Sequence, residues 1–297
     1  SYFMLGQMLL NWALIRMVNS PFRPDEHLDY IGAHVDEIAN GGFEINLNHL
    51  KAASADASSS FSVPMVSVKS IDKKKTWDRD TMYVISLPPE EIGHAYSPDD
   101  RRRIVYPYWS WKPCLICQCQ RPPRAHHCPL CNTCVLKRDH HCFFTGSCIG
   151  LRNQRHFVVF VFWSSVACSY CLMHSMVYLC THFLTRNTAW DLMLPLTAGR
   201  WVLGFIGTLD AFMVGTLYSL VWFWVTSLGF LLEQARAIQE GATSFELDNK
   251  IKISNTATLE DKLRGVFGEH WYLNFLFPMH AVYPCTDDGV QWDSIKA

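Results

Sequence analysis

An α-helical membrane protein, with a loop-rich Cys/His domain set between its transmembrane helices, is the fold class this sequence predicts. Three observations predict it. Two long stretches, residues 157–184 and 211–232, lack Asp, Glu, Lys and Arg. Eight of the twelve cysteines fall between Cys114 and Cys148. Four histidines, His126, His127, His140 and His141, stand among those cysteines. The averages conceal this division, because net charge is −1 and mean hydropathy +0.03 over 297 residues.

The first charge-free stretch holds 28 positions. At about 1.5 Å per residue, a helix of that length exceeds a hydrocarbon core of about 30 Å. A soluble helix so long would show a polar face, and none is visible. The second stretch holds 22 positions between Asp210 and Glu233. Residues 185–200 between the two spans are few, which predicts antiparallel neighbours. Residues 2–15 also lack charge and are read as part of a further span, in preference to an amphipathic anchor or a buried helix. The chain opens at Ser1 inside that run, so an N-terminally incomplete sequence is expected.

Positive charge orients the spans. Arg121, Arg124, Lys137, Arg138, Arg152 and Arg155 precede the first long span, and Arg236 follows the second. The intervening loop carries Arg186 and Arg200 alone. The Cys/His region and the C-terminal tail are therefore expected in the cytosol. The organisation reads as a partial transmembrane helix over 1–18, an insertion over 19–107, the Cys/His domain over 108–156 and a span over 157–184. A short lumenal loop over 185–200, a span over 201–232 and a cytosolic tail over 233–297 complete it. The insertion holds ASADASSSFSV and the runs Lys73 to Lys75 and Arg101 to Arg103, with no helical period. It is expected to be disordered, and no function is assigned to it.

Mixed Cys and His at two-residue gaps favour zinc over disulfides, and zinc-bound thiolates stay reduced in the cytosol. Cys114 and Cys117 form a ligand pair by spacing. Cys128, Cys131 and Cys134 are evenly spaced and can serve two sites. His127 and His141 each adjoin a cysteine, and Cys148 closes the cluster. Two tetrahedral sites need about eight ligands, fewer than the cluster supplies. The surplus centres on Cys142, preceded by Asp139, His140 and His141. A cysteine beside His and Asp has the parts of an activated nucleophile, since His takes the thiol proton and the carboxylate orients the His. A purely zinc-binding module is the competing reading. A nucleic-acid binder is disfavoured, because residues 114–148 carry only four Lys/Arg against one Asp.

The run from Cys114 to Phe157 resembles the cysteine-rich domain of the DHHC protein S-acyltransferases (palmitoyltransferases). The matching elements are RPPR from Arg121 to Arg124, HHC from His126 to Cys128, DHHC from Asp139 to Cys142, and CIGLRNQRHF from Cys148 to Phe157. The resemblance implies a zinc-stapled cytosolic domain with two interleaved structural Zn2+ sites. One would use Cys114, Cys117, His127 and Cys134, and the other Cys128, Cys131, His141 and Cys148. It implies Cys142 as nucleophile, His140 as general base and Asp139 as its partner. Fatty acyl-CoA, palmitoyl-CoA in particular, would be the acyl donor. Substrate proteins with membrane-proximal cysteines and membrane lipids would be the partners. A multi-pass location in the Golgi or endoplasmic reticulum, active site facing the cytosol, is implied too.

Arg121 and Arg124 are candidates for the CoA phosphates. Thr243-Ser244-Phe245-Glu246 is similar to the family's TTxE motif, and the Ser244 hydroxyl is expected to reach Asp139. Gly265 to Gly268 with Trp271 resemble the C-terminal packing motif, where Lys262 replaces the usual Asn. The DPG motif is not found. After DHHC the family has Pro-Trp, and here Phe143 and Phe144 follow, with Ser147 in place of Asn. Phe144 is the one residue assigned to the acyl chain. These departures keep a second function in view, a catalytically impaired, zinc-bound membrane adaptor of the same fold.

Overall fold

A computed structural model describes residues 2–23, 82–86, 103–109, 111–114, 116–117, 119–251, 253–292 and 295–296. The chain divides into two units. One comprises Ser1–Met17, Arg155–Arg236 and Tyr272–Met279, and the other Val18–Gln154, Ala237–Trp271 and His280–Ala297.

The first unit is helical. Helix α1 runs over Tyr2–Met17 and α2 over Gln154–Tyr178. A π-helical turn, Leu179–Phe183, and a last turn, Leu184–Arg186, extend α2. Helix α3 spans Leu194–Val202 and α4 spans Thr208–Glu240. The apolar run from residue 201 thus holds the end of one helix and the start of another. Gly204 turns the chain between them at φ 79°, a conformation glycine adopts without a Cβ penalty. Among the described residues, α2 with its extension and α4 are long and apolar enough to cross a membrane, with mean hydropathy 1.7 and 1.5.

Several buried polar groups inside this unit are paired, which offsets the cost of their burial. Gln7, Asn11 and Ile15 form the buried face of α1. Asn11 Oδ1 lies 3.1 Å from His156 Nδ1, and Gln7 Nε2 donates to the Leu276 carbonyl at 2.5 Å. Ser165 Oγ lies 3.0 Å from Ser227 Oγ, and Trp163 Nε1 donates to the Phe275 carbonyl at 2.9 Å. Leu179, Phe183 and Val214 form a buried apolar cluster.

The second unit is built on three short antiparallel hairpins. Strands β1 (Met82–Ser86) and β2 (Arg103–Pro107) pair first, inside the long insertion, most of which lies outside the described residues. Then come β3 (Lys112–Cys114) with β4 (Cys119–Arg121), β5 (His126–Cys128) with β6 (Thr133–Val135), and β7 (His140–Cys142) with β8 (Ser147–Ile149).

These three hairpins repeat every 14 residues. The outer pairs are Lys112 with Arg121, His126 with Val135, and His140 with Ile149. Each first strand ends on a cysteine, Cys114, Cys128 or Cys142. The turns correspond as well. Asn132 and Gly146 take positive φ, 50° and 65°, at matching positions. Gly150 marks a close approach, since a Cβ there would meet the Leu136 carbonyl oxygen at 2.7 Å.

Strands of three residues form too few ladder bonds to stand alone. Their apolar core is modest and consists of Phe22, Cys114, Ala125, Cys134, Leu136 and Leu151, with Trp111 and Cys285 packed against it. Residues just after α1 join this core. Pro21 bridges Val135, Phe22 N–H donates to the Cys134 carbonyl at 2.8 Å, and Leu136 N–H donates to the Ser20 carbonyl at 2.9 Å. Nothing in the sequence marks Ser20 to Phe22 as a strap on the Cys/His domain. Helices α5 (Ser244–Asp248) and α6 (Leu259–Phe267), and the pair β9 (Ser254–Asn255) with β10 (Ile295–Lys296), complete the unit.

Candidate active site and metal centres

The hairpin repeat gathers eight Cys and His side chains into two clusters. One is Cys114, Cys117, His127 and Cys134, the other Cys128, Cys131, His141 and Cys148. Within each, the ligand atoms lie within 4.8 Å of one another. Each cluster takes the first two residues from one hairpin turn and a cross-strand His/Cys pair from the next hairpin. His127 faces Cys134, and His141 faces Cys148.

The distances suit a single tetrahedral ion. Zinc bonds of about 2.3 Å to sulfur and about 2.05 Å to nitrogen give tetrahedron edges of about 3.8 Å and about 3.6 Å. In the first cluster Cys134 Sγ lies 3.8 Å from Cys117 Sγ, and Cys117 Sγ lies 3.2 Å from His127 Nδ1. In the second, His141 Nδ1 lies 3.5, 3.4 and 3.6 Å from the sulfurs of Cys128, Cys131 and Cys148. Both clusters could hold a metal ion through Nδ1 and three sulfurs. Cys119 sits beside the first cluster, opposite Cys114 across its hairpin.

The repeat also explains why Cys142 lies outside the clusters. Cys142 occupies the position of Cys114 and Cys128 in the third hairpin. A site there would need Thr145 as its second ligand and a fourth hairpin as the source of a His/Cys pair. The chain instead enters α2 at Gln154.

Cys142 is nearly buried at 7% exposure, and its strand neighbour supplies the base. His140 Nδ1 lies 2.8 Å from Asp139 Oδ2, the N–H donating to the carboxylate. That leaves Nε2 for the Cys142 thiol, with which His140 interacts electrostatically. Burial opposes charge on His140, but the Asp139 carboxylate and the Cys142 sulfur outweigh it and raise its pKa to about 9. Burial alone would raise the Cys142 thiol. Hydrogen bonds from His140 and from the Thr145 side chain and amide turn its net shift downward. Proton and charge therefore favour an imidazolium–thiolate pair.

His126 makes an instructive contrast. It fills the same slot one hairpin earlier, where Ala125 stands in place of Asp139. Burial, then the positive charge of Arg121, pushes its pKa well below the usual histidine value. Cations surround His126, whereas a carboxylate and a thiol sulfur support charge on His140.

Asp139 is itself held from α5. Its Oδ1 accepts the Ser244 backbone N–H at 2.6 Å. The Ser244 backbone amide thus reaches Asp139. Helix α5 is fixed by a capping box, in which Glu246 N–H donates to Thr243 Oγ1 at 3.2 Å and Thr243 N–H donates to Glu246 Oε2 at 2.7 Å.

Glu246 further accepts the Tyr108 hydroxyl at 2.8 Å and two Arg124 donors, Nε and Nη2, each at 2.7 Å. This pair is enclosed, with side-chain exposures of 1% and 0%. Removing one partner from such a pair costs about 3–5 kcal/mol. The Arg124 guanidinium, a candidate for CoA phosphates in the sequence, is enclosed and bonded to Glu246. Arg121 is buried too, with Nη1 donating to the Ala125 carbonyl at 3.1 Å. The motif TSFE, uninformative as a short string, proves to be the anchor of both Asp139 and Arg124.

Phe143 and Phe144 occupy the third turn, 83% and 62% exposed, and the Phe143 ring lies edge-on to His141 at 5.3 Å. Ser147 faces Cys142 across the hairpin. Lys262 Nζ donates to the Gln239 carbonyl at 3.0 Å where the family has Asn, and a Cβ on Gly265 would sit 3.0 Å from Asp287.

Residues 109–251 match the family profile described as DHHC palmitoyltransferase. The zebrafish (Danio rerio) palmitoyltransferase ZDHHC22 is 36% identical over 160 residues, 53% of this chain and 58% of its own length. The human (Homo sapiens) palmitoyltransferase ZDHHC22 is 32% identical over 204 residues, 67% of this chain and 71% of its own length. Protein S-acyltransferase 8 of Arabidopsis thaliana is 50% identical over 68 residues, 23% of this chain and 17% of its own length. The chain spans 58% of the zebrafish relative and 62% of the mouse and rat ones. With this profile match, the human relative's coverage and the DHHC hairpin in place, the chain belongs to the DHHC palmitoyltransferase family.

Proposed function

We propose that this protein is a protein S-acyltransferase that carries a fatty acyl group on Cys142. One observation carries the reading: Cys142 stands outside both metal-ligand clusters and shares a three-residue strand with His140, which is bonded to Asp139. Zinc in the two clusters would be structural, fixing the hairpins and thereby the spacing of the Asp139, His140 and Cys142 side chains.

In the first step the Cys142 sulfur attacks the thioester carbon of acyl-CoA. The new S–C bond forms as the bond to CoA sulfur breaks, and the His140 imidazolium returns a proton to the departing CoA thiolate. In the second step a substrate cysteine gives its proton to His140 and attacks the acyl carbon, releasing Cys142. Thioester replaces thioester each time, so the protein's contribution is placement and proton transfer. Asp139, held by the Ser244 amide, keeps His140 in the tautomer that presents Nε2 to the sulfur.

A bilayer location is part of the reading, with α2 and α4 as spans and the hairpins on the cytosolic side. The large exposed apolar side chains of α4, among them Phe212, Trp222 and Leu232, support it. Phe143 and Phe144 place exposed apolar surface next to the reacting sulfur, which suits an acyl chain. Burial there is worth about 0.8 kcal/mol per CH2.

The test is incubation of purified protein with alkyne-tagged palmitoyl-CoA, followed by click detection. The expected result is a hydroxylamine-sensitive label that Cys142→Ser abolishes. An unlabelled wild-type protein that retains its zinc would replace the enzyme with a metal-stapled membrane adaptor.

A further inference from the structure

Each hairpin pairs the cysteine that ends its first strand with one residue across the ladder. These residues are Cys119 opposite Cys114, Thr133 opposite Cys128, and Ser147 opposite Cys142. Residues directly opposite in an antiparallel pair point to the same face, with Cβ atoms about 4.5–5.5 Å apart. The Ser147 hydroxyl and the Cys142 sulfur therefore share one side of the third hairpin. The slot differs in its surroundings. Thr133 is half-buried, and its Oγ1 donates to the Cys134 carbonyl at 3.4 Å. Ser147 is 8% exposed, and its Oγ is buried with no hydrogen-bond partner among the described residues.

A buried hydroxyl without a partner is uncommon, because its lost hydration is not replaced. This one lies across from the nucleophile and outside both metal-ligand clusters. Cys142 is 7% exposed, so an acyl carbonyl that reaches its sulfur enters the same enclosed face. There the carbonyl carbon would be one bond from the sulfur and its oxygen one bond further, within the reach that the cross-strand spacing allows. A donor placed where charge develops, in a site shielded from water, stabilises that charge far more than it would in bulk solvent.

We infer that the Ser147 hydroxyl is an oxyanion donor for the acyl transfer. Attack by the Cys142 sulfur on the thioester carbon moves the carbonyl π electrons onto oxygen. Ser147 O–H donates a hydrogen bond to that oxygen and keeps its own proton. Collapse of the adduct re-forms the carbonyl and expels the CoA thiolate, which takes its proton from His140. The same oxyanion forms again when a substrate cysteine attacks the acyl group on Cys142. This rests on the S-acyltransferase reading and deepens it by naming the group that meets the negative oxygen.

The test compares purified wild type, Ser147→Ala and Ser147→Thr in two reactions of the same sulfur. One is acylation by alkyne-tagged palmitoyl-CoA, which passes through an oxyanion. The other is alkylation by iodoacetamide, a displacement at saturated carbon that forms none, followed at Cys142 by peptide mass spectrometry. Thr keeps the hydroxyl, and the second hairpin already carries Thr in this slot. Loss of one oxyanion donor predicts an acylation rate constant about 100-fold lower in the Ala variant. Alkylation and zinc content should match wild type, and Thr should restore most of the acylation. Equal acylation in wild type and the Ala variant would overturn the role of Ser147 and leave the acyltransferase standing. Acylation and alkylation lowered together would mean a displaced sulfur, and would overturn the role as well. A loss that Thr fails to restore assigns the effect to packing, with the same consequence. A wild type that is alkylated at Cys142 but never acylated would sink the acyltransferase reading and this role with it.

Discussion

Asp139 is one carboxylate with two jobs, and each oxygen does one of them. Oδ2 takes the His140 proton donor, and Oδ1 takes the Ser244 amide. Asp139→Asn removes the charge that supports His140, whose pKa is raised to about 9. His140 is also what helps to lower the Cys142 thiol. The sign follows. Acid protonates the sulfur as pH falls through its lowered pKa, so acylation declines on that side. Weakening the imidazolium lets the thiol pKa climb, and the declining limb moves to higher pH. In Asp139→Asn we expect that displacement and about a 100-fold loss of acylation rate near neutrality, the usual scale of a general acid–base contribution. Ser244→Pro makes the same point by a backbone route. Position 244 is the first residue of α5, where proline fits the helix, and Thr243 is already extended at φ −104°, ψ 159°. The N–H is lost together with the hydroxyl, and Ser244→Ala removes the hydroxyl alone. The pH–rate curve of Ser244→Pro should move in the same direction, and by more than that of Ser244→Ala, which keeps the amide. The DHHC string made Asp139, His140 and Cys142 visible in the sequence, whereas the amide partner was invisible because any residue can supply an N–H.

Among the secondary elements, the two clusters act as hinge pins between successive hairpins. The second cluster joins the hairpin of Cys128 to the hairpin of Cys142, and the first joins the two earlier hairpins. Cys131→Ala is expected to lower zinc from two ions to one per chain and to abolish labelling, because it unpins the reactive hairpin. Cys142→Ala should retain both ions. A zinc assay by atomic emission checks each, and one ion in the Cys142 variant would refute the ligand assignment. The ligand pairs were legible from two-residue gaps, and their interleaving from the family resemblance. The repeat was present in the numbers 114, 128 and 142 but hidden by chemistry, since one slot holds Cys, Cys and Thr and another holds Pro113, His127 and His141. A pattern of geometry survives where the pattern of residue types does not. The Glu246 partner of Arg124 was hidden for a related reason. Clustered arginine looks the same in a sequence whether it faces a phosphate or a buried Glu246.

For the molecule as a whole, the apolar runs were the most legible feature, since absence of charge over two dozen residues leaves little choice of structure. The start of α4 was less so, because apolar content does not distinguish one helix from two joined at Gly204. The strap formed by Ser20, Pro21 and Phe22 could not be foreseen, as its bonds are made by backbone groups. It has a bearing on the long segment that follows. The ring of Phe22 meets that of Trp111 with centroids 6.2 Å apart. The chain thus leaves the Cys/His domain and returns to it through adjoining doorways. Closing a detour between fixed ends costs free energy only as the logarithm of its length, about 0.6 kcal/mol per doubling. Replacing residues 24–102 with a short Gly/Ser bridge should therefore change the melting temperature of the purified protein by only a few degrees and leave its zinc in place. Such a detour can lengthen, shorten or vanish from one relative to another while the domain that hosts it scarcely registers the change.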